Sequence, residues 1–262
     1  MEPALATPNG SVWVEFVGLP GAGKSEVSRA TARVLRARHL RVSEPSYEMD
    51  HATPPAQRLA SKLWLAARGW ARNPRESRFW MQTLVAAHQD GARWPRSVAL
   101  NWFYLIGSLQ RWSAVPGVHV FDQGLLQALW SIGYGARRPD IVSTALLSRL
   151  GGALPPRALV VLVDAAVPTI LQRLERRRTG KSRLERDLVT DRSADCLARA
   201  SQVLKYVEDI AWQLSHVHDL VVLRIDNDAE CTLPAHAVAI ADAVSELLSG
   251  PRWLHVSRWV PA

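Results

Sequence analysis

Val12-Trp13-Val14-Glu15-Phe16-Val17-Gly18-Leu19-Pro20-Gly21-Ala22-Gly23-Lys24-Ser25 is the stretch from which the rest of the chain is read. Val12 to Val17 forms a short apolar run. Gly-x-x-x-x-Gly-Lys-Ser follows over Gly18 to Ser25, and a stretch with helical periodicity comes next. Strand, glycine-rich turn and helix in that order are the required setting of a P-loop. Gly18, Gly21 and Gly23 let the backbone turn so that successive N–H groups aim at a polyphosphate, at a helix N-terminus whose dipole favours negative charge. Pro20 and Ala22 lie in the same cradle. Lys24 can reach the β- and γ-phosphates, and the Ser25 hydroxyl is an oxygen ligand for Mg²⁺. A chance glycine turn does not match every position and both flanks, so the stretch implies a nucleoside triphosphate.

The 262 residues fit one α/β domain, with no linker to divide them. Within it, 10–45 carries the P-loop and first βαβ unit, 46–116 a helical insertion on the acceptor side, and 117–250 the remaining sheet, a basic segment and the C-terminal helix. A net charge of +8 includes an arginine cluster from Arg173 to Arg186. Such a balance suits nucleic acid, a membrane surface or a cleft for several phosphates. No zinc-finger spacing, basic heptad or aromatic-and-basic RNA signature occurs, so nucleic acid is disfavoured against small anionic ligands. Cys196 and Cys231 make neither metal spacing nor a disulfide framework. Met1 to Gly10 lacks the apolar core of a signal peptide, and no apolar run is long enough to span a membrane. The expectation is a soluble cytoplasmic protein with a small-molecule acceptor and no membrane partner; a homodimer is left open.

Along the chain, a helix is expected to about Arg38 and a strand over Leu40 to Val42, closed by Ser43-Glu44-Pro45. A loop is expected over 46–56. Three helices follow, Gln57 to Ala67, Ser77 to Gln89 and Arg96 to Ser113, with Trp64, Trp70, Trp80, Trp94, Trp102 and Trp112 in or beside them. Large rings filling a helical core explain this tryptophan density; a pocket for a planar acceptor is the sharper reading. Val118 to Phe121 ends in Asp122, the expected form of a Walker B strand whose carboxylate meets Mg²⁺. Helices over Leu125 to Ile132 and Pro139 to Leu150 are next. The strand Ala158 to Val163 closes on Asp164 and leads through Pro168 into the arginine cluster, which breaks at Gly180. A solvated helix end is the bland reading of that cluster; cations folding over transferring phosphoryl oxygens is the functional one. A helix over Ser193 to Leu214, a strand Leu220 to Ile225 and a helix Pro234 to Leu248 complete the pattern; the tail from Arg252 carries no signal. Five apolar runs alternating with helices predict a five-stranded parallel sheet covered on both faces, with Glu44, Asp122 and Asp164 along the carboxyl edge beside the P-loop.

In this order the residues resemble the nucleoside and nucleotide kinases, particularly thymidylate kinases and deoxynucleoside kinases. The P-loop with its strand, Glu44-Pro45, the Asp122 strand with its helix, the Asp164 strand leading to an arginine-rich lid, and the closing Ile225-Asp226 strand span nearly the whole chain. The resemblance implies a P-loop kinase fold, ATP as donor and Mg²⁺ as metal. Glu44 would act as base toward the acceptor hydroxyl, and Asp122 would stand near Mg²⁺. Arg173, Arg177 and Arg183 would contact ATP phosphates from the lid. Ser43 and Gln123 stand where arginines are expected, which places the departure on the acceptor side.

A kinase of a nucleoside, a nucleotide or another small hydroxylated acceptor is therefore the first expectation. A base at Glu44 points to an alcohol, because a phosphate oxygen is already ionised at pH 7. Sugars and antibiotic hydroxyls fit the same logic. The alternative is a P-loop ATPase or regulatory NTP-binding protein without an acceptor. The absence of Asn-Lys-x-Asp argues against a GTPase.

Overall fold

Val12 to Val17 are all buried because the strand they form is covered on both faces. In the computed structural model, which describes residues 10–87, 94–136, 147–177, 182–190, 193–218, 220–229, 232–249 and 258–260, this strand is β1 (Ser11–Val17), inside a parallel sheet. The chain continues through α1 (Lys24–Ala37), β2 (Val42–Ser43), α2 (Pro45–His51), α3 (Pro55–Arg72), α4 (Pro74–Ala86) and α5 (Trp94–Trp112). Then come β3 (Gly117–Phe121), α6 (Leu125–Gly135), α7 (Leu147–Ala153), β4 (Ala158–Asp164) and α8 (Val167–Arg177). The last elements are α9 (Arg183–Thr190), α10 (Ser193–Val217), β5 (Leu220–Asp226), α11 (Leu233–Ser249) and β6 (Arg258–Val260).

Strand order is β2-β3-β1-β4-β5-β6, and every pairing is parallel. All five expected strands occur, the second shifted from Leu40–Val42 to Val42–Ser43, where it pairs with Val118 and His119. A sixth, β6, extends the edge by pairing with Leu223 to Ile225. Three residues are too few for periodicity to announce, and only the neighbouring edge gives them a ladder. α1 packs with α11 beside the sheet, while α6 packs with α5 and α10. β1 lies between β3 and β4, so the P-loop has Asp122 on one side and the end of β4 on the other.

Two local readings change. Pro45 does not end structure; it opens α2 at its first turn, where a missing N–H and a fixed φ suit a helix start. The expected loop over 46–56 is thus largely helical. α9 is likewise a helix that the arginine-rich composition did not suggest; it begins at Arg183 with Ser182 and Glu185 bonding reciprocally to each other's backbone N–H. The helix expected over Pro139 to Leu150 lies mostly outside the described residues, as do Gln89 and the segment 178–181.

In the insertion, α3 crosses α5 where Gly69 and Gly107 meet. A Cβ at Gly107 would stand 2.2 Å from the Leu65 carbonyl oxygen, so the two backbones touch. Gly107→Ala is expected to lower stability by about 2 kcal/mol through overpacking, measured by urea unfolding. Trp80 and Trp102 are buried with ring centroids 4.8 Å apart, as a helical core requires. Trp64 and Trp70 are not core: both are exposed on α3.

Candidate phosphate-binding site

The turn joining β1 to α1 needs its glycines for two separate reasons. Gly21 and Gly23 have φ of 90° and 93°, in the left-handed region. Gly18 lies so close to β4 that a Cβ would come within 2.3 Å of the Val163 carbonyl oxygen. Gly23 is also the N-cap of α1 and no side chain caps that helix; the Glu26 N–H turns back to the Gly23 carbonyl at 2.9 Å, leaving the amides at Lys24 and Ser25 as candidates for an anion.

Lys24 folds back over the turn, Nζ donating to the carbonyls of Gly18 at 2.7 Å and Leu19 at 2.9 Å. Burial brings its pKa down to about 7; Arg177 pushes the same way and Asp122 opposes. The Ser25 hydroxyl donates to Asp122 Oδ2 at 3.1 Å. Burial raises the Asp122 pKa, the Ser25 bond and Lys24 lower it, and Asp50 adds to the rise. A hydroxyl and a carboxylate in contact beside a helix N-terminus are the hard oxygen donors that Mg²⁺ takes, and Lys24 with Arg177 supplies cations for a polyphosphate. The residues present fit both groups.

Three side chains absent from the expected site brace the loop. Gln127 Oε1 accepts the Gly18 N–H at 3.0 Å. Glu15, fully buried on β1, accepts the Gln127 N–H at 2.9 Å and so tethers the start of α6; Gly124 packs directly on its carboxyl. Asn227, after β5, donates from Nδ2 to the Ala22 carbonyl at 2.8 Å and abuts Gly23. Each had a faint signal: a carboxylate inside an apolar strand, one glutamine in an otherwise apolar helix, an amide at a strand end. Asn227→Ala is expected to weaken binding of a polyphosphate probe at this loop about tenfold, because it loosens the turn at Ala22 and Gly23; titration of the parent and variant with a nucleoside triphosphate decides.

The arginine cluster divides. Arg173 donates to the carbonyls of Asn227 at 2.8 Å and Ala22 at 3.4 Å, bonding to the loop backbone itself. Arg177, at the end of α8, acts on Lys24 through its charge. Arg183 instead lies against the Tyr134 ring and Asp187.

On the other side, Glu44 is buried and ion-paired at 2.7 Å with Arg36, twelve residues beyond Lys24 on α1, about 18 Å along the helix axis. The structure brings Lys24, Ser25, Asp122 and Arg173 together around the loop, Arg177 acts on Lys24 by its charge, and Glu44 is paired with Arg36. Ser43 donates to His119 Nδ1 at 2.7 Å, and Gln123 is exposed. Asp50, on α2, is the carboxylate whose charge reaches both Asp122 and Tyr104 of α5, in each case adding to a larger rise from burial. Lys62 stands over the Tyr104 ring at 5.2 Å.

No family model and no curated protein matches the chain. Among solved structures, it is similar to deoxyadenosine kinase from M. mycoides with bound dCTP: TM-score 0.44, 11% identity, 89% of this chain and 99% of that one covered. It is also similar to the same M. mycoides enzyme with products dCMP and a flexible dCDP bound: TM-score 0.48, 12% identity, 89% and 99% covered. Neither likeness is close enough to transfer chemistry, which rests on the loop, Ser25 and Asp122 themselves.

Proposed function

We propose that this chain is an ATP-dependent phosphotransferase, a kinase that moves the γ-phosphoryl of ATP to a small hydroxyl-bearing acceptor, with a nucleoside or nucleotide as the first class to test. The observation that carries this reading is the 3.1 Å contact of Ser25 Oγ with Asp122 Oδ2 beside the P-loop lysine. The backbone amides at the start of α1 and Lys24 would hold the triphosphate, and Ser25 with Asp122 would hold Mg²⁺. When bound, that ion neutralises charge on the transferring phosphoryl group. Arg177 adds a cation to the same region, while Arg173, Gln127 and Asn227 keep the cradle in shape. Arg183 is proposed to support α9 through Asp187 and Tyr134.

An acceptor, rather than water alone, is favoured by the helical insertion between β2 and β3, whose Asp50 acts by its charge on Asp122. Glu44, the expected base, is ion-paired with Arg36 at 2.7 Å and Asp50 with Arg58 at 3.6 Å; Asp50 is favoured for orienting a hydroxyl because its charge acts on Asp122. Purified protein with ATP-Mg²⁺ is to be screened against nucleosides, nucleoside monophosphates, sugars and hydroxylated antibiotics. ADP release stimulated by one class supports a kinase; release no faster than with water alone leaves the ATPase reading in its place. With an acceptor in hand, Asp50→Asn is expected to lower kcat about 10²-fold and Glu44→Gln about tenfold or less. The reverse ranking restores Glu44 as the base.

A further inference from the structure

α3 turns its apolar side outward. Leu59, Leu63 and Trp64 are 53%, 51% and 53% exposed, Ala60 and Ala67 lie exposed between them, and Trp70, 38% exposed, borders this face with its ring 5.1 Å from that of Phe103 on α5. On a helix these positions fill one arc of about 140° that contains no polar side chain. The opposite side, with Leu65 and Gly69, packs on α5, so the exposed arc is not a core face that lost its partner. A contiguous apolar face of this kind on an exposed helix marks an interaction surface.

Charge indicates the partner. From Ala52 to Arg75 the chain has no Asp or Glu, while Arg58, Lys62, Arg68, Arg72 and Arg75 are all cationic. Arg68 and Arg72 flank the arc on one side, Arg68 stacking over the Trp64 ring at 5.1 Å. A second copy of α3 would bring only like charge to this rim, which argues against self-association. Nucleic acid would need cations at the centre of the face, where Leu63 and Ala67 stand. Leucine and tryptophan with cations along one edge are what an anionic bilayer interface takes up: rings enter the headgroup layer while guanidinium groups meet lipid phosphates. No described helix is long and apolar enough to cross a membrane, and a helix lying flat in the interface needs no such length.

We infer that the outer face of α3 docks this protein onto anionic lipid bilayers. The inference is independent of phosphotransfer, and either can fail alone. The test is co-sedimentation of the full chain with vesicles of phosphatidylcholine, with and without phosphatidylglycerol, at low and moderate salt. Binding is expected only to the anionic vesicles, weakened by salt. It should fall about tenfold in a Leu63→Glu/Trp64→Glu double variant and about fivefold for each of Arg68→Gln and Arg72→Gln. Circular dichroism and ATP binding of the variants should match the parent. Three results overturn the inference: no preference for anionic vesicles, vesicle binding untouched by the double variant, or a parent dimer that the double variant converts to monomer.

Discussion

Asp122→Asn is expected to reduce kcat about 10³-fold while leaving the fold and metal-free nucleotide binding intact. Asparagine keeps the volume of Asp122 and an oxygen that can still accept the Ser25 hydroxyl, now 3.1 Å from Oδ2. It removes the anionic ligand proposed to hold Mg²⁺, a hard cation that selects charged oxygens. It also removes the charge that partly offsets burial at Lys24. The P-loop amides, Arg173 and Asn227 are untouched, so the affinity for ATP in a chelating buffer should change by about twofold or less, while the requirement for added Mg²⁺ rises steeply. Isothermal titration with and without Mg²⁺, beside turnover measurements, separates the two effects. Full turnover at ordinary Mg²⁺ would remove Asp122 from the site.

Glu15→Gln is expected to flatten the dependence of stability on pH. Burial pushes the Glu15 pKa up to about 7 from an ordinary 4.5, against the opposing hydrogen bonds from α6 amides. The folded chain therefore holds this proton more readily than the unfolded one. The contribution is fully present below the unfolded pKa and is lost as pH rises through the folded pKa. Between pH 4.5 and 8, the parent should lose about 3 kcal/mol relative to Glu15→Gln, to the order of magnitude set by the shift. Urea unfolding of both proteins at pH 5 and pH 8 measures the difference. The absolute stability of the variant carries less meaning, because the new amide N–H groups arrive where Glu15 Oε2 has no hydrogen-bond partner. Parallel slopes would show that Glu15 stays ionised throughout, held by the N-terminus of α6. Since Glu15 anchors the segment whose Gln127 holds Gly18, the same variant also reports whether the loop senses that proton.

What the chain declared by itself was local. Gly18 to Ser25 was readable because a phosphate cradle needs glycine, lysine and hydroxyl at fixed spacing along one continuous turn. The five main strands and most helices between them, though not α2 or α9, followed from apolar runs and punctuation, and Asp122 from its place at a strand end. Everything that depends on approach between distant segments had to come from the tertiary structure. Glu44 looks like a site carboxylate next to Pro45, and its ion pair with Arg36 is visible only in the tertiary structure. Gln127, Glu15 and Asn227 look incidental, yet Gln127 accepts the Gly18 N–H across 109 residues of chain, Glu15 accepts the Gln127 N–H across 112, and Asn227 donates to the Ala22 carbonyl across 205. The tryptophans illustrate the same division. Composition put six of them near the helical insertion, but only packing decided that Trp80 and Trp102 meet each other between α4 and α5, that Trp70 leans on Phe103 and that Trp64 faces outward. Periodicity along a helix shows which residues share a face; which face is covered depends on what folds against it.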